Sequence, residues 1–448
     1  MKKLFQVAAA YVKTKYFLRF TSREQLEAWQ EKKLNQHIRH VRRHSSFYRK
    51  HLQTAPKRLT LSNLSQLPSI DKTVMMDNFD ALNTKGIDKA QAFDVAMTAE
   101  ATRNFQPMIG DVTVGLSSGT SGNRGIFLVS EAEKNQWAGT ILAKLLPEGL
   151  RTKETIAFFL RANSNLYESV TSRKISFLFF DLAKNAADHI SRLNEAMPTI
   201  LVAPPSLLRM LAAYKEAGAL LIVPKKVISV AEVLDPNDEC YLKTVFAQPV
   251  HQVYQCTEGF LAHTCSRGTL HLNEDIVIIE KEFLDEAGLK FSPVITDLKR
   301  RTQPIIRYRL NDILSLKKES CPCGSVMTAL EQIEGRCDDI FYFNSKSGEQ
   351  TQAVFPDFIR RAIITAAEEI EEYRVIQHTP AELEIQLKAS GDVEEKVKQN
   401  VLAKVNALLT AEEIILPVIR FQPYQPQGRL QKLKRIERKL IPDRQYAD

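Results

Sequence analysis

The sequence predicts an α/β chain whose large first part carries parallel and mixed sheets, followed by a smaller α+β unit, and three observations lead there. Between residues 110 and 300, short apolar runs alternate with stretches of helical spacing, the rhythm of strand–helix–strand crossovers. After about residue 335 that rhythm gives way to two helical segments set among three strand-like ones. The composition is that of an ordinary folded protein, with 448 residues, 44% hydrophobic and 25% charged, 17 Gly and 19 Pro. It removes collagen-like and wholly disordered chains from consideration.

In chain order, residues 1–52 read as a basic helical arm. Thr21 and Ser22 offer helix caps, and Leu26, Trp29, Leu34, Ile38, Val41 and Phe47 recur at helical spacing, so one long amphipathic helix is expected over 22–52. The apolar run after Lys2 and Lys3 is broken by Gln6 and stopped by Lys13 and Lys15, so it does not read as a secretory leader. The strand candidates are 155–160, 174–182, 198–203, 225–231 and 249–255, with helices over 183–195 and 205–217 between them. Beyond residue 335, helices are expected over 354–370 and 391–409, and strands over 372–379, 383–389 and 415–424.

The net charge of +8 is not spread evenly. Residues 1–50 hold 13 Lys and Arg against three Glu, a local +10, which leaves the remaining 398 residues at −2. No aromatic-interleaved nucleic-acid motif accompanies this charge, so nucleic acid is not expected as a partner. A solvated helix face is the main reading, and weak contact with a membrane surface through residues 1–50 is the alternative. No run reaches the length of about 20 apolar residues that a membrane-spanning helix needs. Six Cys do not make a disulfide scaffold and suit a reduced, cytoplasmic setting.

The strongest local signal is Ser117-Ser118-Gly119-Thr120-Ser121-Gly122-Asn123-Arg124-Gly125. Glycines let backbone N–H groups approach an anion, and the hydroxyls add donors, so this stretch reads as a phosphate cradle. It lacks the GK[ST] ending of a Walker loop. Joined to four motifs further along the chain, it resembles the adenylate-forming superfamily, in the branch of phenylacetate–CoA ligases and coenzyme-deazaflavin synthetase-like proteins. The five motifs stand in the expected order. They are the phosphate loop, Ala231-Glu232-Val233-Leu234, Tyr254-Gln255-Cys256-Thr257-Glu258 (against YGxTE), the stretch from Ile306 to Asp312, and Gly335-Arg336-Cys337-Asp338-Asp339 (against the hinge GRxDD).

The resemblance implies a large N-terminal AMP-binding domain over 1–334 and a small, mobile α+β lid over 335–448. It implies an AMP-forming ligase that activates a carboxylic acid, with an aryl acid as the first expectation, using ATP and Mg²⁺. The acceptor stays open among CoA, a carrier-protein thiol and an amine. The roles it implies are Tyr254 against adenine, Thr257 on the α-phosphate and Glu258 on Mg²⁺. Glu232, Gln255 and Cys256 would border the nucleotide, Asp312 and Arg336 would hold the ribose side, and Asp338 would be the pivot. Lys432 is the matching catalytic lysine, with Lys434 as its rival two residues on. Phe260 and Ser206 suit an aryl pocket or plain packing equally well.

Arg124 stands where the family often has lysine, Gln255 where it has glycine, and no glycine precedes Lys432. The first and last of these departures support the competing expectation, a nucleotide-binding scaffold that has lost turnover. Cys321-Pro322-Cys323 is half of a zinc knuckle, and the resemblance places Cys265 and His271 nearby, with His263 as a rival fourth ligand. Three thiolates and an imidazole would close a structural zinc tetrahedron.

Overall fold

The computed structural model describes residues 2–102, 106–117, 124–150, 152–160, 174–182, 184, 186–348, 351–389, 394–427 and 433–439. Contacts divide the chain into two units, Met1–Leu310 with Leu314–Gln332, and Asn311–Ile313 with Ile333–Asp448.

In the first unit, five parallel strands lie side by side in the order Ile175–Asp181, Glu154–Leu160, Ile200–Ala203, Lys226–Val230 and Val250–Gln255. Helices Ala187–Ala196, Pro205–Glu216 and Pro236–Phe246 make the crossovers. Leu208, Leu211, Val227 and Leu242 are fully buried between these helices and the sheet. These strands are the parallel part of the expected parallel and mixed sheets. From Phe260–Thr264 onward the pairings are antiparallel, Phe260–Thr264 with Val250–Gln255 and with Leu270–Leu272, and Lys290–Asp297 with Val277–Phe283. The turn at Cys256–Gly259 is too short for a crossover helix, so the chain there reverses direction.

The expected single helix over 22–52 is two. Helix Arg23–His44 ends where Ser45 turns extended, and the Ser45 side chain then caps Ser46–His51 through the Tyr48 N–H. The basic segment is built into the first unit rather than left as a free arm. Gln30 donates to the Glu274 carbonyl at 2.8 Å, and Arg23 pairs with the buried Glu274 carboxylate at 2.8 Å. Within the segment read as a helical arm, and ahead of the long helix expected over 22–52, helix Lys2–Val12 crosses helix Glu131–Leu145 at Gly139. A Cβ at Gly139 would stand 2.3 Å from the Val7 carbonyl oxygen, so the crossing requires glycine there.

In the second unit, a four-stranded sheet runs Val418–Pro423, Glu382–Ala389, Ile370–Thr379, Ile436–Arg438. Helix Glu394–Ala411 buries Val397, Val401, Val405 and Leu409, a strict four-residue repeat, in a core shared with helix Pro356–Ile364 and the sheet. The basic segment beyond residue 433 supplies the strand Ile436–Arg438.

Candidate active site

One cleft of the first unit gathers groups from four distant parts of the sequence, among them Lys72, Ser117, Gly125, Thr257, Glu258 and Arg300. The residues flanking the expected phosphate loop form the antiparallel strand pair Val112–Leu116 and Ile126–Ser130. Ser117 donates its N–H to the Gly125 carbonyl at 2.8 Å and accepts the Gly125 N–H on Oγ at 2.8 Å, which closes the base of the loop. Ser118, Gly119, Thr120, Ser121, Gly122 and Asn123 lie outside the described residues. Arg124, at the position where the family often has lysine, points both terminal nitrogens at Glu100, at 2.5 and 3.1 Å. That pair lowers the Glu100 carboxyl pKa and occupies the guanidinium fork.

Thr257 and Glu258 occupy the tight turn after the last parallel strand, the carboxyl end at which ligands bind in such sheets. Thr257 Oγ1 donates to Glu258 Oε2 at 2.8 Å. The Glu258 carboxylate also bonds to the Tyr308 hydroxyl, whose pKa is raised first by burial and then by that negative charge. Tyr254, expected against adenine, is 8% exposed on the same strand. Gln255 ends that strand, and the Cys256 N–H donates to the Gly259 carbonyl at 3.0 Å within the turn.

Arg300 was missed by sequence reading and is the side chain that ties this cleft together. Its Nη1 donates to the Thr257 carbonyl at 2.8 Å, and its Nη2 donates to the Leu128 carbonyl of the hairpin at 3.2 Å. Gln303 completes the lacing, donating to the Ile126 carbonyl at 3.1 Å and accepting the Leu128 N–H at 2.9 Å. Two buried carboxylates shape the turn that presents them. Asp297 accepts the N–H groups of Lys299 and Arg300, and burial pushes its pKa up to about 6 against the pull of Arg300. Glu133 closes a capping box with Ser130 and also accepts from the N–H groups of Arg301 and Thr302. Burial acts to raise its pKa, but Arg300 and these hydrogen bonds outweigh burial and lower it. The run Lys299-Arg300-Arg301 was the available signal, but its spacing matches no motif.

Glu232 follows the strand Lys226–Val230, and its Oε2 accepts the Ser206 N–H at 3.3 Å, at the start of helix Pro205–Glu216. The carboxylate thus caps that helix. Phe260 is buried, 3% exposed. Within the second unit, Arg336 Nε lies 3.7 Å from Asp312 Oδ1. Asp338 is exposed in the turn Cys337–Asp339, while its buried neighbour Asp339 pairs with Lys434 at 3.1 Å. Lys434 is therefore committed to a carboxylate of its own unit. Lys432 lies outside the described residues.

The ligand atoms of Cys265, His271, Cys321 and Cys323 all fall within 4.8 Å of one another. Cys265 Sγ and Cys321 Sγ are 3.8 Å apart, and Cys323 Sγ is 3.5 Å from His271 Nε2. Zinc–sulfur bonds of about 2.3 Å and a zinc–nitrogen bond of about 2.0 Å at tetrahedral angles require separations of about 3.8 and 3.5 Å. The donor set fits. His271 Nδ1 donates to the Met327 carbonyl at 3.0 Å, which fixes the tautomer that turns the Nε2 lone pair inward. The rival His263 is held instead by Asn273 at 2.8 Å.

With this geometry in place, comparison with known proteins places the fold. The chain is similar along 97% of its length, with a TM-score of 0.69 and 15% identity, to 92% of a 2-hydroxyisobutyryl-CoA ligase solved in the postadenylation state with an acyl-AMP. The fold is that of the adenylate-forming enzymes. Structural neighbours are acyl-CoA ligases and other adenylate-forming enzymes, including ATP-bound MatB from Rhodopseudomonas palustris, at a TM-score of 0.51 and 14% identity over 70% of this chain and 64% of that one. The first ligase has also been solved with CoA. In sequence, the chain is 25% identical over 113 residues to phenylacetate-coenzyme A ligase of Thermus thermophilus, covering 25% of this chain and 24% of the relative. It is 21% identical over 314 residues to protein CapK of Staphylococcus aureus, covering 65% of this chain and 63% of the relative. The chain thus spans less than two thirds of the length of either relative. No family model matches it. Among the described residues, no helix is long and apolar enough to cross a membrane.

Proposed function

We propose that this protein is an AMP-forming ligase that activates a carboxylic acid as an acyl-adenylate and then passes the acyl group to CoA or another thiol or amine. A carboxylate oxygen of the acid attacks the α-phosphorus of ATP, the bond to the β-phosphate oxygen breaks, and pyrophosphate leaves. The acceptor's sulfur or nitrogen then attacks the acyl carbon and AMP departs. The observation that carries this reading is the cleft in which Arg300 ties the Thr257-Glu258 turn to the Ser117–Gly125 hairpin. Its cations and hydroxyls are of the kind that hold phosphate oxygens while charge builds on them.

The residues divide the work. Thr257 offers its hydroxyl to the α-phosphate, and Lys72 and Arg300 set a positive field over the cleft. Glu258 is the ligand for Mg²⁺, which usually binds through one or two carboxylates together with substrate phosphates. That ion, when bound, neutralises phosphate charge. Asp312 and Arg336 are assigned to the ribose side, Asp338 to the pivot of the second unit, and Lys432 to charge stabilisation during adenylation. Cys265, His271, Cys321 and Cys323 are assigned one structural zinc.

The test is acid-dependent pyrophosphate release, with hydroxylamine trapping of the acyl-adenylate, over aryl, hydroxyaryl and fatty acids. Release with at least one acid class supports the ligase. ATP binding without release from any acid would favour a scaffold that has lost turnover.

A further inference from the structure

The helix Lys2–Val12 and the turn Lys13–Phe17 present an inverted surface. Their inner side packs through Val7, Ala10 and Tyr11 on helix Glu131–Leu145, with Tyr11 4% exposed. The outer side of such a helix is ordinarily polar. Here positions 4, 5, 8, 9 and 12 share one helical face, and every one of them is apolar and exposed. Leu4 is 64% exposed and Phe5 76%, and the turn adds Tyr16 at 55% and Phe17 at 74%. Contiguous exposed apolar surface of this kind marks a contact site.

The charge within this segment is of one sign. Lys3 and Arg19 are exposed, and no Asp or Glu occurs before Glu24. Lys13 and Lys33 flank the Trp29 ring, 5.5 and 4.5 Å from its centroid. Burial lowers the Lys33 pKa, and repulsion from Lys13, Lys32 and Arg301 lowers it further. Burial lowers Lys299 to about 8, with repulsion from Lys13 and Lys33 offset in part by Asp275 and Asp297. These five cations therefore crowd one region next to the apolar turn and repel one another.

We infer that the outer face of residues 4–17 docks on a membrane surface that carries anionic lipid, with Phe5 and Phe17 entering the interface and the basic fringe meeting the headgroups. A second copy of the chain is the poorer occupant. A two-fold contact through this face would set the basic fringe against itself. A helix and turn of this length lie on a bilayer rather than cross it. The inference is independent of the catalytic reading, because neither Phe5 nor Phe17 lines the cleft.

The experiment is co-sedimentation of the full chain with vesicles of phosphatidylcholine alone and of phosphatidylcholine mixed with phosphatidylglycerol. The parent protein should pellet with the mixed vesicles, fail to pellet with phosphatidylcholine, and come off as salt is raised. The double variant Phe5→Ser/Phe17→Ser, altered at exposed positions only, should keep its thermal melt and bind at least about tenfold more weakly. Equal binding to both vesicle types, no binding to either, or unchanged binding by the variant would overturn the inference. So would a parent that sediments as a dimer and a double variant that sediments as a monomer, which would assign the face to a second copy.

Discussion

Arg300 donates to the backbone carbonyl of Thr257 at 2.8 Å and, with its other terminal nitrogen, to the carbonyl of Leu128 at 3.2 Å. One planar fork thereby fixes the separation between the turn that presents Thr257 and Glu258 and the hairpin that carries the hydroxyl-rich loop. A lysine would keep the charge and lose the two-point tie. Arg300→Lys should lower the kcat for pyrophosphate release by roughly 10- to 100-fold, with a smaller change in the KM for ATP, because misplacement of the turn costs positioning more than ground-state binding. Steady-state kinetics on the folded variant checks this. A changed KM with unchanged kcat would limit Arg300 to binding.

The lysine near the end of the chain separates two registers. Lys432→Ala should depress adenylation by ~10²–10³-fold, the loss typical of one charge stabiliser. Thioester formation from pre-formed acyl-adenylate should survive. Lys434 is held by Asp339 at 3.1 Å, so Lys434→Ala should leave adenylation near normal and instead loosen its own unit. The reverse pattern would move the catalytic role by two residues.

Metal analysis of the freshly purified protein should find about one zinc per chain. Cys323→Ser should lose it and lower the melting temperature, because binding to a closed site is folding free energy. A metal-free parent, or a Cys323→Ser protein that keeps its zinc, would remove the cluster of Cys265, His271, Cys321 and Cys323 as a metal site.

His37 is 2% exposed, and neither ring nitrogen has a hydrogen-bond partner among the described residues. Burial, reinforced by His40 and Arg301, lowers its pKa from 6.5 to about 3. The unfolded chain therefore takes up this proton first. The contribution to stability is intact above about pH 6.5 and is lost as the pH falls toward 3. At pH 5 the loss is about 2 kcal/mol. His37→Leu keeps the site buried and removes the titration, so it should flatten the fall in stability between pH 7 and pH 5 in denaturant melts. A variant with the parent's slope would place the acid sensitivity elsewhere.

How far the sequence could be read depended on whether the signal was local. The five parallel strands announced themselves as short runs such as 155–160 and 225–231, because a sheet covered on both faces needs unbroken apolar segments. The antiparallel half was not legible. The strands from Phe260 to Leu316 carry mixed polarity, and their pairing is set by turns such as Cys256–Gly259. Ser45 split an expected helix because a serine that can cap competes with helix continuation. Within the candidate site, the resemblance pointed to Thr257 and Glu258 and placed Cys265 and His271 near Cys321 and Cys323, four residues whose ligand atoms the structure brings within 4.8 Å of one another. Arg300 was not legible, because its role depends on carbonyls 43 and 172 residues away. Nor could Arg124 be known to face Glu100, a pairing made across 24 residues.

The most direct test of the central claim is pyrophosphate release by the parent protein and by Glu258→Gln, measured with Mg-ATP and a panel of carboxylic acids. The parent should release pyrophosphate only when an accepted acid is present. The variant should fold, keep its melt, and release it ~10²–10³-fold more slowly, because the amide would lack the negative charge that the proposal assigns to holding Mg²⁺. Release at the parent's rate by folded Glu258→Gln, or no acid-dependent release by the parent across the whole panel, would contradict the account.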